Sequence, residues 1–324
     1  MAGALTFVDL FCGAGGWTQG LVAAGLRHLV GIDKDAAALE TYNENHGEDA
    51  SMQADVAKVD ARAIRKKIGT QSVDLVFASP PCQSFSASGP RRLGDPADRL
   101  AESVPRIAHG LGAHTVVLEN VSGMASKKNV AGELVVDGIL KSFRATGFTN
   151  IHWELLRCDL FGVPQTRKRV LLIACKGKRV DPTTLFPAPD AVSKVPPLKK
   201  LLTPRGQVKD PFYWMDARKA KYYEDRHSNP ETRAYVKFVD FDKVANTVRA
   251  SYAKSRGAEA LVRYKDGAMR MLTERECARI QSFPDDYVFK GPRTKVYLQI
   301  GNAVPPEFAR RIGARVQEVL GRAA

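Results

Sequence analysis

The stretch Ser79-Pro80-Pro81-Cys82-Gln83-Ser84-Phe85-Ser86 follows an apolar run, residues 73–78, that reads as a buried strand. A free cysteine is usually a small buried hydrophobe. This one instead follows a strand's carboxyl end, on a loop stiffened by two prolines of fixed φ, which is where a nucleophile can be held and aimed. A second apolar run, residues 115–118, ends in Glu119-Asn120-Val121 and delivers a carboxyl group to the same edge of a sheet. An acid that abuts an apolar strand is partly desolvated, a setting that suits a proton donor. Further on, Gln165-Thr166-Arg167-Lys168-Arg169 precedes the run 170–174. That basic segment reads equally as a solvated turn, as a phosphate-binding patch, or as a source of guanidinium groups for a site.

A separate pattern points to a bound nucleoside. Residues 5–11 read as a strand that runs directly into Cys12-Gly13-Ala14-Gly15-Gly16, with a helix to follow. Glycines there let the backbone turn tightly and approach a ligand closely. Asp33 ends the next strand, 20 residues after Gly13, where a doubly wound fold places the acid that accepts from ribose hydroxyls. The loop lacks the third glycine of GxGxxG and the basic neighbours expected beside a pyrophosphate. This favours a phosphate-free cofactor such as S-adenosylmethionine. Asp55, in Gln53-Ala54-Asp55-Val56, is read either as an acceptor for the adenine amino group or as a helix N-cap.

Strands and helices must bring these residues together. Runs at 5–11, 29–33, 73–79, 115–119 and 170–174 read as strands, and 17–26 and 35–46 as helices. Apolar strands separated by helices predict an α/β fold with a doubly wound, mostly parallel sheet. Residues 176–211 are rich in proline and lysine and read as an irregular crossing. Residues 212–264 interleave basic and aromatic side chains without clear periodicity. Residues 274–283 read as a short helix, and Pro305-Pro306 opens a tail helix with Phe308, Ile312 and Val316 on one face.

Composition narrows the class. With 49 Lys and Arg against 35 Asp and Glu, the formal charge of +14 favours a polyanionic partner, nucleic acid first. The five cysteines (Cys12, Cys82, Cys158, Cys175, Cys277) are scattered and form no CxxC pair, so neither a zinc site nor a disulfide framework is expected. No signal-peptide pattern and no bilayer-length apolar stretch is seen, so the expectation is a reduced, cytoplasmic, soluble protein.

In this order the pieces resemble the DNA (cytosine-5) methyltransferases. The resemblance rests on DLFCGAGG (9–16), PPCQSFS (80–86), ENV (119–121), QTRKRV (165–170), RECARIQSFP (275–284) and QIGNAVPP (299–306). It covers essentially the whole chain, leaving only the segment between QTRKRV and RECAR unaligned. It implies a Rossmann-like S-adenosylmethionine-dependent methyltransferase fold, with a catalytic domain of residues 1–182 plus 294–324 and a smaller target-recognition domain of 183–293. The tail helix should then pack beside the first helix.

The resemblance also implies roles. Cys82 matches the thiolate that adds to carbon 6 of cytosine, making carbon 5 enamine-like. Glu119 matches the acid at ring N3, Arg169 the arginine directed at O2, and Arg167 a helper. Phe11, Gly13, Ala14, Gly15, Gly16, Asp33, Lys34, Asp55, Val56, Pro80 and Leu100 match cofactor contacts. So do Asn302, Ala303 and Val304 of the C-terminal motif. Stacking covers the face of a paired base, so the target must be flipped out. Gln83, Ser86, Gln165, Thr247, Arg249, Lys254 and Arg256 are the candidates for contacts to double-stranded DNA. A tRNA-directed relative would carry a Cys-Phe-Thr element in the recognition region, and none is present. The compact chain resembles a monomeric bacterial, archaeal or viral modification enzyme, compatible with a cognate restriction endonuclease that shares its site without contact.

Overall fold

The computed structural model describes residues 3–81, 100–129, 131–178, 180–189, 195–232, 235–255 and 257–321. Its N-terminal part alternates strands and helices: β1 (Thr6–Leu10), α1 (Gly16–Ala23), β2 (Arg27–Asp33), α2 (Ala36–His46), β3 (Ser51–Gln53), α3 (Ala61–Ile68) and β4 (Leu75–Ala78). After α4 (Ser103–Gly110) come β5 (Thr115–Val121), α5 (Val135–Ala145), β6 (Asn150–Arg157) and β7 (Lys168–Cys175). Short polar side chains start several helices: Asp35 accepts from Ala37 N ahead of α2, and Asp60 from Arg62 N ahead of α3.

Seven strands form one sheet in the order β3-β2-β1-β4-β5-β7-β6. The first five in that order are parallel, with Val8 opposite Val76 and Val76 opposite Val116. Alternate residues of each strand face opposite layers, as the pleat requires. Val8, Leu10, Val76 and Leu118 pack with Ile64, Ile107 and Phe143 of α3, α4 and α5. Phe7, Phe77, Val117 and Ile173 pack on the other face with Trp17 and Leu21 of α1 and with Phe308, Ile312 and Val316. Both faces are covered, which explains strands that are apolar throughout.

Two features depart from the sequence reading. The run expected at 170–174 as another member of a parallel series is β7, and it runs antiparallel to β5 and to β6. The strand β6 itself was not legible. Its residues are intermediate or exposed, because an edge strand carrying His152, Glu154 and Arg157 lacks a continuous apolar face.

The rest of the chain is less regular. It includes α6 (Ala217–Ser228), the pair β8 (Val262–Arg263) and β9 (Met269–Arg270), α7 (Glu274–Ile280), α8 (Arg293–Asn302) and α9 (Pro306–Leu320). No residue of α6 is buried, so it imprints no hydrophobic period on the sequence. A capping box between Thr273 and Glu276 opens α7. A third apolar cluster spans Leu198, Val248, Tyr252, Leu261, Cys277 and Phe283, and takes in Val296, Tyr297 and Ile300 of α8. The helix α8 thus packs into this third cluster while its Gln299 bonds Thr41 and the Ala37 carbonyl of α2, and α9 returns to the main sheet. No helix among the described residues is long and apolar enough to cross a membrane.

The expected contact between α1 and α9 is close. A Cβ added at Gly20 would lie 2.2 Å from the Pro306 carbonyl oxygen and 2.6 Å from the Ala309 Cβ. Backbone cannot step aside as a side chain can. Gly20→Ala is expected to lower stability by about 1–3 kcal/mol through overpacking, against the gain in helix propensity, as read by chemical denaturation. An unchanged or raised midpoint would show that the two helices are not so tightly apposed.

Candidate active site

In a doubly wound sheet ligands bind beyond the carboxyl ends of the strands where the strand order reverses. Here that point lies between β1, whose chain leads away to β2, and β4, which continues the sheet the other way. The loops that follow these two strands border a cavity of about 240 Å³.

The β1 side is shaped by backbone geometry. Phe11 has φ 58° although it is not glycine, and Gly13 and Gly15 have φ 52° and 88°. A bulky residue held in that region is strained, and such strain is found where surrounding structure fixes a site. Gly13 N donates to Asp33 Oδ2 at 2.9 Å, and Asp35 N donates to Asp33 Oδ1 at 2.9 Å. Asp33 thus fastens the glycine loop to the end of β2 while lining the cavity. A Cβ at Gly16 would lie 2.2 Å from the Val304 carbonyl oxygen, so only glycine lets the loop close on the C-terminal motif.

The β4 and β5 side carries the ionic groups. Arg169 Nε lies 2.6 Å from Glu119 Oε1, with the side chains 11% and 8% exposed. Their proximity follows from the reversed strand: Val121 at the end of β5 is the register partner of Arg169 at the start of β7. Asn120 Nδ2 donates to Pro80 O at 3.2 Å, and Trp17 Nε1 donates to Ser79 Oγ at 2.6 Å. These bonds tie the segment Ser79–Pro81 to β5 on one side and to α1 on the other. Cys82, Gln83 and Ser86 lie just beyond it, outside the described residues, as does Arg256. The four described cysteines are all buried. Burial pushes the Cys158 thiol up to about 12, and burial above all holds Cys12 and Cys277 well above the usual thiol range. None of these is suited to act as a thiolate nucleophile.

Of the expected site residues, Phe11, Gly13, Ala14, Gly16, Asp33 and Lys34 line the cavity on one side. Pro80, Glu119, Arg167 and Arg169 line it on the other, and Asn302, Ala303 and Val304 close it. Gly15 instead caps α1, packed under His46 and Tyr287. Asp55 does not reach the wall. Its Oδ1 accepts from Ala57 N at 3.0 Å within a turn at 56–58, so it caps no helix, Asp60 being the cap of α3, and Val56 is buried in the main core. Leu100 also lies off the wall, its carbonyl accepting from Ser103 Oγ at 2.7 Å.

Gln165 requires a correction. Expected at the DNA surface, it is fully buried. Its Nε2 donates to Ile280 O at 3.0 Å and to Gln281 Oε1, and its Oε1 accepts from Val248 N at 3.2 Å. Arg167, though on the wall, donates to the carbonyls of Val248, Gly301 and Ala303 at 3.2–3.3 Å, which makes it a strut. Thr247 and Arg249 border a second cavity, and Lys254 is exposed. The sequence reading missed Trp17, Ser79, Asn120, Lys295 and Gln299 on the wall. Trp17, Ser79, Asn120 and Gln299 border or fall within the recognised motifs, whereas Lys295 gave no signal beyond its helix.

The model of the C-5 cytosine-specific DNA methylase family matches residues 5–318. The chain belongs to this family. It is an enzyme of the DNA (cytosine-5-)-methyltransferase class. Among its relatives, the type II methyltransferase M.FnuDI of Fusobacterium nucleatum is 30% identical over 98% of this chain and 95% of its own. The type II methyltransferase M.DdeI of Desulfomicrobium norvegicum is 28% identical over 96% and 88%. In fold the methyltransferase is similar to the S. pombe Dnmt2 methyltransferase, with TM-score 0.76 and 19% identity over 98% of this chain and 99% of that one. The Entamoeba histolytica methyltransferase EhMeth gives a TM-score of 0.75 at 15% identity, over the same shares of the two chains.

Beneath the methyltransferase's glycine loop lies a buried polar chain. Thr18 Oγ1 donates to Asp9 Oδ2 at 2.8 Å and lies 2.7 Å from Tyr42 Oη, which lies 2.7 Å from His28 Nε2. The chain is thus continuous from Asp9 through Thr18 and Tyr42 to His28. Tyr287 Oη donates to the Ala14 carbonyl and is also bonded to His46 Nε2 at 3.2 Å. Burial pushes the Asp9 carboxyl up to about 8, with Asp33 adding to the rise against the Thr18 hydrogen bond. Burial pushes His28 and His46 down to about 4.

The two effects oppose each other. Unfolded, Asp9 ionises above 3.8, but folded it keeps its proton to about 8, so its contribution to stability is lost as pH rises through that window. The histidines charge below 6.5 when unfolded and stay neutral to about 4 when folded, so theirs is lost as pH falls. Together these three groups place a stability maximum near pH 6.5. Denaturant titrations across pH should show Asp9→Asn flattening the alkaline decline. A decline of undiminished slope in the variant would assign it elsewhere.

Proposed function

We propose that this enzyme transfers the methyl group of S-adenosylmethionine to carbon 5 of a cytosine in a specific duplex DNA sequence, through a transient covalent bond between Cys82 and the flipped base. The observation that carries the reading is the single cavity that joins the strained Phe11–Gly16 loop and Asp33 to the Glu119–Arg169 pair. On this reading residues 1–182 with 294–324 form the catalytic domain and 183–293 the target-recognition domain, with α8 bridging the two.

The donor fits the β1 half by chemistry. Asp33 accepts one backbone N–H on each oxygen and keeps lone pairs for ribose hydroxyls, while Phe11, Trp17 and Val304 supply apolar walls. When bound there, S-adenosylmethionine supplies an electrophilic methyl group.

Carbon 5 of cytosine is a weak nucleophile. Addition of the Cys82 thiolate to carbon 6 moves ring electron density onto carbon 5 and N3. In the form that carries a proton Glu119 hydrogen-bonds or protonates N3, and Arg169 orients Glu119 and is directed at O2, so both stabilise the charge that develops. Carbon 5 then accepts the methyl group. A base, water included, removes the carbon-5 proton, the returning electron pair expels Cys82 as thiolate, and N3 returns to Glu119 any proton it took. Pro80 and Pro81, bound through Asn120, fix the approach of the segment that carries the thiol.

The net charge of +14 suits the phosphate backbone, and the reading sets the enzyme in the cytoplasm as a monomer. A cognate restriction endonuclease would share the site without touching it, in keeping with relatives named as type II methyltransferases.

Labelled methyl transfer to duplex DNA and to tRNA, run in parallel, tests the substrate. Transfer is expected to duplex DNA, and transfer to tRNA alone would overturn the reading. A duplex with 5-fluorocytosine at the target should trap the wild-type protein covalently, because fluorine cannot leave carbon 5 as the proton does. Cys82→Ser should give neither adduct nor product. Glu119→Gln should lower kcat by roughly 10²–10⁴-fold with donor affinity retained; a near-normal kcat would remove Glu119 from the chemistry.

A further inference from the structure

The second cavity, of about 300 Å³, is bordered by Thr166, Tyr235, Lys237, Thr247, Arg249 and Glu259. Its walls are held by backbone bonds. Lys237 N donates to Ala258 O at 2.8 Å and Leu261 N to Lys237 O at 2.9 Å, flanking Glu259. On the other side Thr166 N donates to Ala245 O at 2.9 Å, and Thr247 Oγ1 to Thr166 O at 3.2 Å. Thr166 is the immediate neighbour of Arg167, which lines the catalytic cavity, so the two cavities adjoin across one short segment.

Glu259 is the unusual residue. Its Oε1 lies 3.4 Å from Arg249 Nη1, whereas its Oε2 is buried with no hydrogen-bond partner among the described residues. A buried carboxylate oxygen is costly to leave unmatched, and sites built to hydrogen-bond a ligand are where such atoms persist. A carboxylate repels a phosphate, so this cavity is not simply a backbone clamp. It offers an acceptor beside a forked cationic donor. In the major groove a G·C pair presents the complement, the cytosine N4 donor beside the guanine N7 and O6 acceptors. An A·T pair offers a donor in adenine N6 but lacks the paired acceptors that a guanidinium grips on guanine.

We propose that Glu259 and Arg249 read one G·C base pair of the recognition sequence close to the target cytosine, Glu259 accepting from cytosine N4 and Arg249 donating to guanine. Tyr235, 67% exposed, and Lys237 form the rim through which the groove edge enters. The assignment rests on the reading above that duplex DNA is the substrate, and it makes Glu259 a specificity residue that no motif marked.

The test is methylation of a duplex library randomised around the target, with product contexts read by bisulfite sequencing and donor binding as the check on folding. The wild type should show one invariant G·C position that Glu259→Gln relaxes towards A·T, since an amide can pair with adenine. The discrimination lost there should be about 10- to 100-fold, with other positions unchanged. Arg249→Ala should relax the same position. Full discrimination retained in a folded Glu259→Gln, or relaxation by the two variants at different positions, overturns the pairing while leaving the substrate reading intact. A wild type that methylates no duplex takes both down.

Discussion

The site depends on one reversal of chain direction. In a sheet whose strands all ran parallel, the residues leading into β7 would sit at the opposite edge from those leaving β5. Because β7 is antiparallel to β5, the end of one strand meets the start of the other, and Arg169 reaches Glu119. Taking both charges out of water is expensive, and their attraction offsets that only with close geometry. Removing either partner would leave a buried charge uncompensated, a loss of about 3–5 kcal/mol. The pair is therefore as much a constraint on the strand arrangement as a product of it.

Around that pair, motifs far apart in the chain meet in one hydrogen-bonded joint. Gln165 spans from Val248 to Gln281, Gln281 Nε2 donates to Ile300 O at 2.6 Å and Ala303 O at 3.2 Å, and Arg167 holds Gly301 and Ala303. A Cβ at Gly301 would lie 2.3 Å from Ala250 N, so α8 passes directly against the segment that carries Arg249. Each of these polar side chains satisfies main-chain groups that no strand or helix could serve. The segment around Arg249 and the wall of the first cavity are thereby joined through one hydrogen-bonded network.

The glycine loop rests on a different support. Its strained turn lies over Asp9, Thr18 and Tyr42, with Tyr287 reaching the Ala14 carbonyl from the third apolar cluster. The chain is matched at Asp9 Oδ2, Thr18 Oγ1 and Tyr42 Oη, whereas Asp9 Oδ1 is buried without a hydrogen-bond partner among the described residues, in keeping with a carboxyl that holds its proton there.

Much of this was legible from residue order. The β1 strand, its glycine loop and Asp33 are local: a run of apolar residues, a turn that only glycine permits and an acid one strand later are fixed by short-range sterics and periodicity. The Ser79–Pro81 approach is local in the same sense. The direction of β7 is not, since an apolar run reads alike whichever way it enters a sheet, and its partner β5 is distant in sequence. Nor could the sequence show that Gln165 and Arg167 turn inward, or that Glu259 faces a cavity, because burial of a polar side chain depends on which distant carbonyls and amides happen to surround it. Sequence alone determined the family and singled out the glycine loop and the candidate reacting groups; the tertiary structure decided which of the described ones share a wall, through an antiparallel register and long-range hydrogen bonds that leave no periodic trace in the chain.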